Sequence, residues 1–181
     1  MNNVKISKAI PSDAYGIQSL TIESSKGMYK LCGWSEEEIN NHFPPEKAQK
    51  AAEGLEKGIA NFTDDNILMV AKMTNDNDGK DEEKVVGCCF AEKHEDKNTI
   101  EALYVMPEFK GQGLAKELYD KAHGLLDKNK DTYLDVFSLN SRGVGFYKKQ
   151  GFVETGKKTF DERFKGSDGE MLEITEMVLY N

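Results

Sequence analysis

The chain has 181 residues, of which 38% are hydrophobic and 31% charged, a length and composition typical of one soluble domain spanning residues 1–181. Its 24 basic and 32 acidic residues give a net charge of −8, which argues against nucleic acid as a main partner and suits a cationic substrate. There is no membrane-span-like apolar run, no signal-peptide pattern and no metal-ligand spacing among the three cysteines, so we expect a cytoplasmic protein without a membrane or metal partner.

The first third of the chain predicts one strand followed by three helices. Residues 4–9 alternate between apolar and polar types, which indicates a strand. A proline-serine-aspartate sequence at 11–13 starts a helix that we expect to reach about Ser24. A serine three residues before a glutamate, within 35–38, is a capping-box pattern that opens a second helix. A third helix is expected over 46–59.

Three further strands are predicted before the centre of the chain. Residues 66–73, 84–93 and 99–106 are apolar runs separated by polar turns. The polar run 74–83 has the composition of an exposed hairpin loop, and it lacks the spaced ligands of a calcium loop. Because short turns join these strands, this part of the sheet is expected to be antiparallel.

The stretch that follows reads as a glycine loop and a helix. Gly111 and Gly113 come after the strand, and apolar residues then recur at helical spacing as far as Leu126. Such a loop leaves N–H groups of the first helical turn without partners, and with the helix dipole they suit a phosphate or pyrophosphate. We therefore predict a phosphate-bearing cofactor here. A dinucleotide fingerprint would need glycine at position 116, where the chain has Lys116.

The last third of the chain predicts three strands and one helix. The strand at 132–139 is expected to be parallel to the strand at 99–106, because a helix connects the two. A helix over 141–149 is followed by a glycine that stops it, and strands at 151–164 and 170–179 close the chain.

Two segments of the chain resemble the GCN5-related N-acetyltransferases, the GNAT family. The first is K-G-Q-G-L-A, in which Lys110, Gly113 and Ala115 occupy the three defining positions of the family's cofactor loop, with lysine where Arg or Gln is usual. The second is Asn140 followed by F-Y-K-K-Q-G-F at 146–152. Within the family, both segments are most similar to the PaiA-type polyamine acetyltransferases and the spermidine/spermine N-acetyltransferases.

The resemblance implies the GNAT fold, an α/β (α+β) architecture with a mixed, mostly antiparallel sheet of about seven strands and four or five helices. In that fold a parallel strand pair splays apart and holds the cofactor, acetyl-CoA. Dimers are common in the family, so a homodimer is possible. The residues implied to bind acetyl-CoA are Leu103, Tyr104, Val105, Lys110, Gly111, Gln112, Gly113, Leu114, Ala115, Lys116, Asn140 and Lys149, of which Asn140 could instead tie the start of its helix.

Tyr147 lies at the family's general-acid position, where its hydroxyl would reach the CoA sulfur. The alternative is a tyrosine that packs on the helix without moving a proton. We do not expect Cys88 to act as a covalent nucleophile, because the family's reaction is direct transfer.

Glu101 matches the offset of the proposed base in spermidine/spermine acetyltransferases, four residues before Val105. Strand alternation is expected to put Glu101, Leu103 and Val105 on one face. A carboxylate there could accept the amine proton through water or bind a cationic substrate. Glu92 and His94 are fallback bases.

The implied activity is transfer of the acetyl group of acetyl-CoA to a primary amine. A polyamine such as spermidine or spermine is the expected acceptor. The alternatives are a protein N-terminal or lysine acetyltransferase, and a non-catalytic acyl-CoA-binding regulatory module.

Overall fold

The computed structural model describes residues 3–77 and 80–181, with side chains except at 3, 75–77, 80–82 and 161–164. Five α-helices and seven strands lie along these residues, and short 3-10 turns precede the first and fourth helices. No helix in the described ranges is long and apolar enough to cross a membrane. In chain order the elements are β1 Asn3–Lys8, α1 Ala14–Leu31, α2 Glu36–His42, α3 Pro45–Ala60, β2 Asn66–Asn77, β3 Lys80–Lys93, β4 Asn98–Val105, α4 Leu114–His123, β5 Thr132–Phe137, α5 Ser141–Lys149, β6 Val153–Lys165 and β7 Met171–Leu179.

All seven strands form one sheet in the order β1-β2-β3-β4-β5-β7-β6. Every neighbouring pair is antiparallel except β4 and β5, which are parallel and joined through α4. The predicted mixed, mostly antiparallel architecture of seven strands and five helices is therefore confirmed. Its one parallel pair lies at the centre of the sheet, next to the glycine loop.

Helices cover both faces of the sheet. A Cβ added to Gly87 of β3 would lie 2.7 Å from Leu118 of α4, and a Cβ added to Gly16 of α1 would lie 2.7 Å from Val85 of β3. Gly87 and Val85 face opposite sides, because the β2–β3 ladder shifts by one residue between them. α4 and α1 therefore pack against opposite faces, and the close approach explains glycine at both contacts.

The first helix is longer than predicted, and the hairpin loop is shorter. α1 continues past Ser24 to Leu31, and its last turn buries Tyr29 against Trp34, His42 and Phe43 at ring distances of 4.9–5.6 Å. The apolar spacing used to predict the helix ends near Ser24, and this aromatic packing stabilises the turns beyond it.

The predicted loop over 74–83 is wrong in extent. β2 and β3 keep pairing through Thr74–Glu83, so the polar run forms strand rather than loop. Backbone pairing in a hairpin does not require apolar residues, so the polar composition alone did not reveal the longer strands. The turn itself, at 78–79, lies outside the described residues.

Candidate active site

The parallel strands β4 and β5 separate after three residue pairs. Asn98, Thr99 and Ile100 pair with residues 132–134, and no later pair joins the two strands in the described part of the chain. Asn98 fixes the closed end, because its buried amide donates to the backbone oxygens of Asp127 and Lys130 at 2.8 and 3.0 Å. Beyond Ile100 the β5-facing edge of β4 is left open along Leu103–Val105, the segment predicted to bind the pantetheine arm. The predicted splay is confirmed.

A β-bulge at Glu101 breaks the strand alternation expected there. Phe90 of β3 pairs with Ala102 and Ala91 pairs with Ile100, which leaves Glu101 as the extra residue. The expectation that strand alternation puts Glu101 on one face with Leu103 and Val105 is therefore wrong. The ladder instead places Ile100 on their face, because a bulge adds one residue to the period-two pattern. Glu101 is exposed at the mouth of the splay.

The glycine loop leads directly into α4. Gly111 and Gly113 have positive φ values of 82° and 87°, and a Cβ added to either would meet no atom within 4 Å. The first helical bond runs from Glu117 N to Gly113 O at 3.1 Å, so the N–H groups at 114–116 precede the intrahelical ladder. Gln112 secures the loop by donating to Glu108 O at 2.6 Å. The loop thus offers backbone donors beside open space, as an anion site requires.

The side chains of the loop differ in what they can offer an anion. Leu114 is buried, so its side chain anchors the helix in the core and only its backbone can serve a ligand. Lys116 forms a salt bridge with Asp120 at 2.6 Å. Lys110 and Lys149 are exposed. Of the predicted cationic ligands, Lys116 would therefore have to exchange a carboxylate partner for a phosphate.

Tyr147 lies on the buried face of α5. Its ring centroid is 5.2 Å from that of Phe146 and 5.6 Å from that of Phe152, both edge-on. Burial raises the pKa of the Tyr147 hydroxyl well above its ordinary value, and the nearby Cys89 and Tyr104 add to the shift. The phenol therefore stays protonated at neutral pH, as a proton donor must.

Asn140 caps the helix that carries Tyr147. Its side-chain Oδ1 accepts a hydrogen bond from Gly143 N at 3.0 Å. A Cβ added to Gly143 would lie 2.6 Å from the Asn140 amide nitrogen, so this first turn needs a glycine. Of the two roles expected for Asn140, the structure shows the one that ties the helix start.

An acidic cleft of about 210 Å³ lies beside the closed end of the splay. Glu101, Asp135 and Glu176 supply its carboxylates, and Lys97 also lines it. Asp135 and Glu176 are cross-strand partners on β5 and β7. Burial, then Glu176, raises the pKa of Asp135, and Glu101 contributes in the same direction. Sequence reasoning missed Asp135 and Glu176, although an aspartate within the apolar strand T-Y-L-D-V-F was a usable signal.

The remaining candidate side chains take different positions. Cys88 is buried, and burial raises the pKa of its thiol to about 12, which keeps the thiol protonated and unsuited to nucleophilic attack. The fallback bases Glu92 and His94 lie next to Glu101, with one ligand-type atom from each of the three within 4.8 Å of the others. They form one cluster with Glu101 rather than a separate site.

Residues 69–154 match the model of the acetyltransferase (GNAT) domain. This part of the chain is a GNAT acetyltransferase domain. The matched range contains the splay, the glycine loop and Tyr147, so the resemblance noted in the sequence is confirmed. Two curated relatives are also named as N-acetyltransferases. An uncharacterized N-acetyltransferase of Chlorobaculum tepidum is 32% identical over 81 residues, which are 44% of this chain and 50% of that protein.

The second relative is the peptidyl-lysine N-acetyltransferase YjaB of Salmonella typhimurium, 36% identical over 63 residues, or 35% of this chain and 41% of that protein. The chain thus spans half or less of the length of these two relatives. A solved structure of PaiA N-acetyltransferase from Thermoplasma acidophilum with coenzyme A superposes with a TM-score of 0.61. It is 22% identical, and the match covers 96% of this chain and 98% of that one, which extends the GNAT fold to both ends of the described chain.

The residues of this GNAT domain fit acetyl-CoA. A pyrophosphate would find the N–H groups at 114–116 and the open space above Gly111 and Gly113. The edge of β4 at Leu103–Val105 is not paired with β5, so its backbone groups could bind an extended, amide-containing arm. The protonated Tyr147 lies on the helix that follows β5, the other strand of the splay.

Proposed function

We propose that the chain transfers the acetyl group of acetyl-CoA directly to a primary amine, and that the amine is a polyamine such as spermidine or spermine. The splay of β4 from β5 beside the glycine loop is the observation that carries the transferase activity. The acidic cleft next to it is the observation that supports a polyamine as the acceptor. The PaiA-type assignment, the homodimer, the cytoplasmic location and the single-domain organisation over 1–181 stay predictions.

The cofactor is held by backbone groups and surface lysines. Leu103, Tyr104 and Val105 would bind the pantetheine arm through their backbone, and the loop 110–116 would bind the pyrophosphate. Lys149, exposed at the end of α5, would reach the phosphates of CoA. When bound, acetyl-CoA supplies a thioester carbonyl that an uncharged amine can attack with release of the thiol.

The acceptor amine must first lose a proton. An alkylamine has a pKa of about 10.4, so only roughly a few molecules in ten thousand are nucleophilic at pH 7. Glu101, exposed at the mouth of the splay, would accept that proton directly or through water. Tyr147, which is protonated at neutral pH, would donate its hydroxyl proton to the leaving sulfur.

Carboxylates attract an ammonium but also oppose its deprotonation, because they stabilise the charged form. A polyamine resolves this conflict, since it carries several ammonium groups. Asp135 can hold a remote ammonium while the reactive one sits at Glu101, whereas Glu176 already forms a salt bridge with Lys157 at 2.9 Å. A monoamine has no second charge for the cleft, which is why the acidic cleft favours a polyamine.

A second candidate is acetylation of a protein lysine or N-terminus. The similarity to a peptidyl-lysine N-acetyltransferase favours it, and a lysine ammonium would also enter an acidic cleft. A third reading, a non-catalytic acyl-CoA-binding module, is disfavoured by the presence of both Glu101 and a protonated Tyr147.

Steady-state assays with acetyl-CoA against spermidine, spermine, a lysine peptide and a peptide with a free N-terminus separate these functions. We expect kcat/KM for the polyamines to exceed that for either peptide by at least tenfold, on the order of 1.4 kcal/mol in transition-state free energy. A preference for a peptide would establish the second candidate. Tight CoA binding with no turnover of any amine would refute both enzymatic functions.

A further inference from the structure

A histidine and two carboxylates meet on adjacent strands at the edge of the acidic cleft. Glu92 lies on β3, His94 directly follows that strand, and Glu101 is the bulge residue of β4. One ligand-type atom from each lies within 4.8 Å of the other two. His94 and Glu101 are exposed and Glu92 is half-buried, so an ion in solution can reach all three.

We propose that Glu92, His94 and Glu101 bind a divalent transition-metal ion, with Zn²⁺ preferred. One imidazole nitrogen with two carboxylate oxygens is a ligand set for zinc, whereas calcium and magnesium favour oxygen ligands alone. Ligand bonds of about 2.1 Å place tetrahedral ligand atoms about 3.4 Å apart. The ligand atoms now lie within 4.8 Å of one another, so binding requires the exposed side chains of His94 and Glu101 to rotate toward the ion.

Two further residues orient these ligands. Asn66 Nδ2 donates to Glu92 Oε1 at 2.6 Å, and His94 Nε2 lies 3.0 Å from Thr99 Oγ1. When Nε2–H donates to Thr99, the lone pair of Nδ1 is available to the metal. The backbone of His94 is fixed as well, since its N–H donates to Lys97 O at 2.8 Å. Hydrogen bonds therefore orient Glu92 and His94, while Glu101 contributes an exposed carboxylate from the bulge. Three protein ligands would leave the fourth position of a tetrahedral zinc ion to water.

Occupancy of this site has a consequence that rests on the proposed function. Glu101 cannot coordinate an ion and also accept a proton or bind an ammonium. Zn²⁺ is therefore a competitor of the amine, and it should raise the apparent KM for the amine while leaving that for acetyl-CoA unchanged.

The test is calorimetric titration of ZnCl₂ into the whole chain under reducing conditions. A Cys32→Ser background removes a half-buried thiol that could also bind zinc. We expect one site in this background and at least a tenfold weaker affinity in His94→Ala and in Glu101→Gln, which nearly preserves side-chain shape. The matched control is Glu95→Gln, an exposed carboxylate next to His94 and outside the cluster, which should bind zinc unchanged.

The proposal would be overturned if zinc did not bind one-to-one. It would also be overturned if His94→Ala and Glu101→Gln bound zinc as tightly as the Cys32→Ser background. CaCl₂ titrated in the same way should show no binding, and tighter binding of Ca²⁺ than of Zn²⁺ would also overturn it. Calorimetry needs no turnover, so a chain that acetylates no amine refutes the proposed function while the metal site is decided independently. Where turnover is present, chelation by EDTA should restore the original KM for the amine.

Discussion

Replacement of Gly113 by alanine tests the glycine loop with a perturbation whose size follows from the structure. Gly113 has a φ of 87°, a left-handed conformation that costs an L-residue about 1–2 kcal/mol. The new methyl group meets no atom within 4 Å, so the free protein gains no clash. For a chain of this size the cost corresponds to a melting temperature lower by about 2–8 °C.

The larger effect of Gly113→Ala is expected on the cofactor. Its methyl group would occupy the space assigned to the pyrophosphate, so the Kd for CoA should rise at least tenfold, or by about 1.4 kcal/mol. Calorimetric titration with CoA gives the Kd, and circular dichroism gives the melting temperature.

A matched control is Gly54→Ala, in the interior of α3, where an added Cβ also meets nothing within 4 Å. It should stabilise the chain by about 0.5–1 kcal/mol and leave the Kd for CoA unchanged, because helical backbone suits alanine. A wild-type Kd for CoA in Gly113→Ala would refute the assignment of the loop to the pyrophosphate.

Four further predictions address the proton donor, the base, the cleft and the core. Tyr147→Phe should lower kcat by on the order of 100-fold with little change in the acetyl-CoA KM, and an unchanged kcat removes Tyr147 from the acid role. Glu101→Gln should shift the pH–rate profile if Glu101 is the base, but raise only the amine KM if it binds the substrate; no change in either excludes both roles. Because burial and neighbouring carboxylates raise the pKa of Asp135, its ionised form destabilises the folded chain. Asp135→Asn should therefore raise the melting temperature at pH 7, with the gain fading as the pH falls through the raised pKa of Asp135 and absent below the ordinary aspartate value; a pH-independent gain contradicts this. Phe152→Ala, at a side chain only 2% exposed, should lower the free energy of unfolding by about 3–5 kcal/mol in denaturant titrations, and a loss below about 1 kcal/mol would mean that the core is not packed as described.

Local sequence signals predicted the order of the elements and the connection between β4 and β5. The two strands had to be parallel, because a helix joins them, and the loop between them carries glycines at positions of positive φ. These features depend on residues close together in the chain. Turn chemistry and helical periodicity therefore suffice to predict them.

Features that depend on cross-strand register were not predictable in the same way. The bulge at Glu101 arises from how β4 pairs with β3, and no residue type within β4 indicates a bulge. The acidic cleft brings Asp135 together with Glu176, which lies 41 positions further along the chain, and strand order alone makes them neighbours. The end of α1 was misplaced for a related reason, since Tyr29 extends the helix through packing on residues of a later helix.

A crystal structure of the chain with CoA is the most direct test of the cofactor site on which the account depends. The pyrophosphate should lie within hydrogen-bond distance of the N–H groups at 114–116. The pantetheine arm should run along Leu103–Val105 between β4 and β5, with its sulfur near the Tyr147 hydroxyl. CoA bound elsewhere, or bound with the splay closed, would contradict the account.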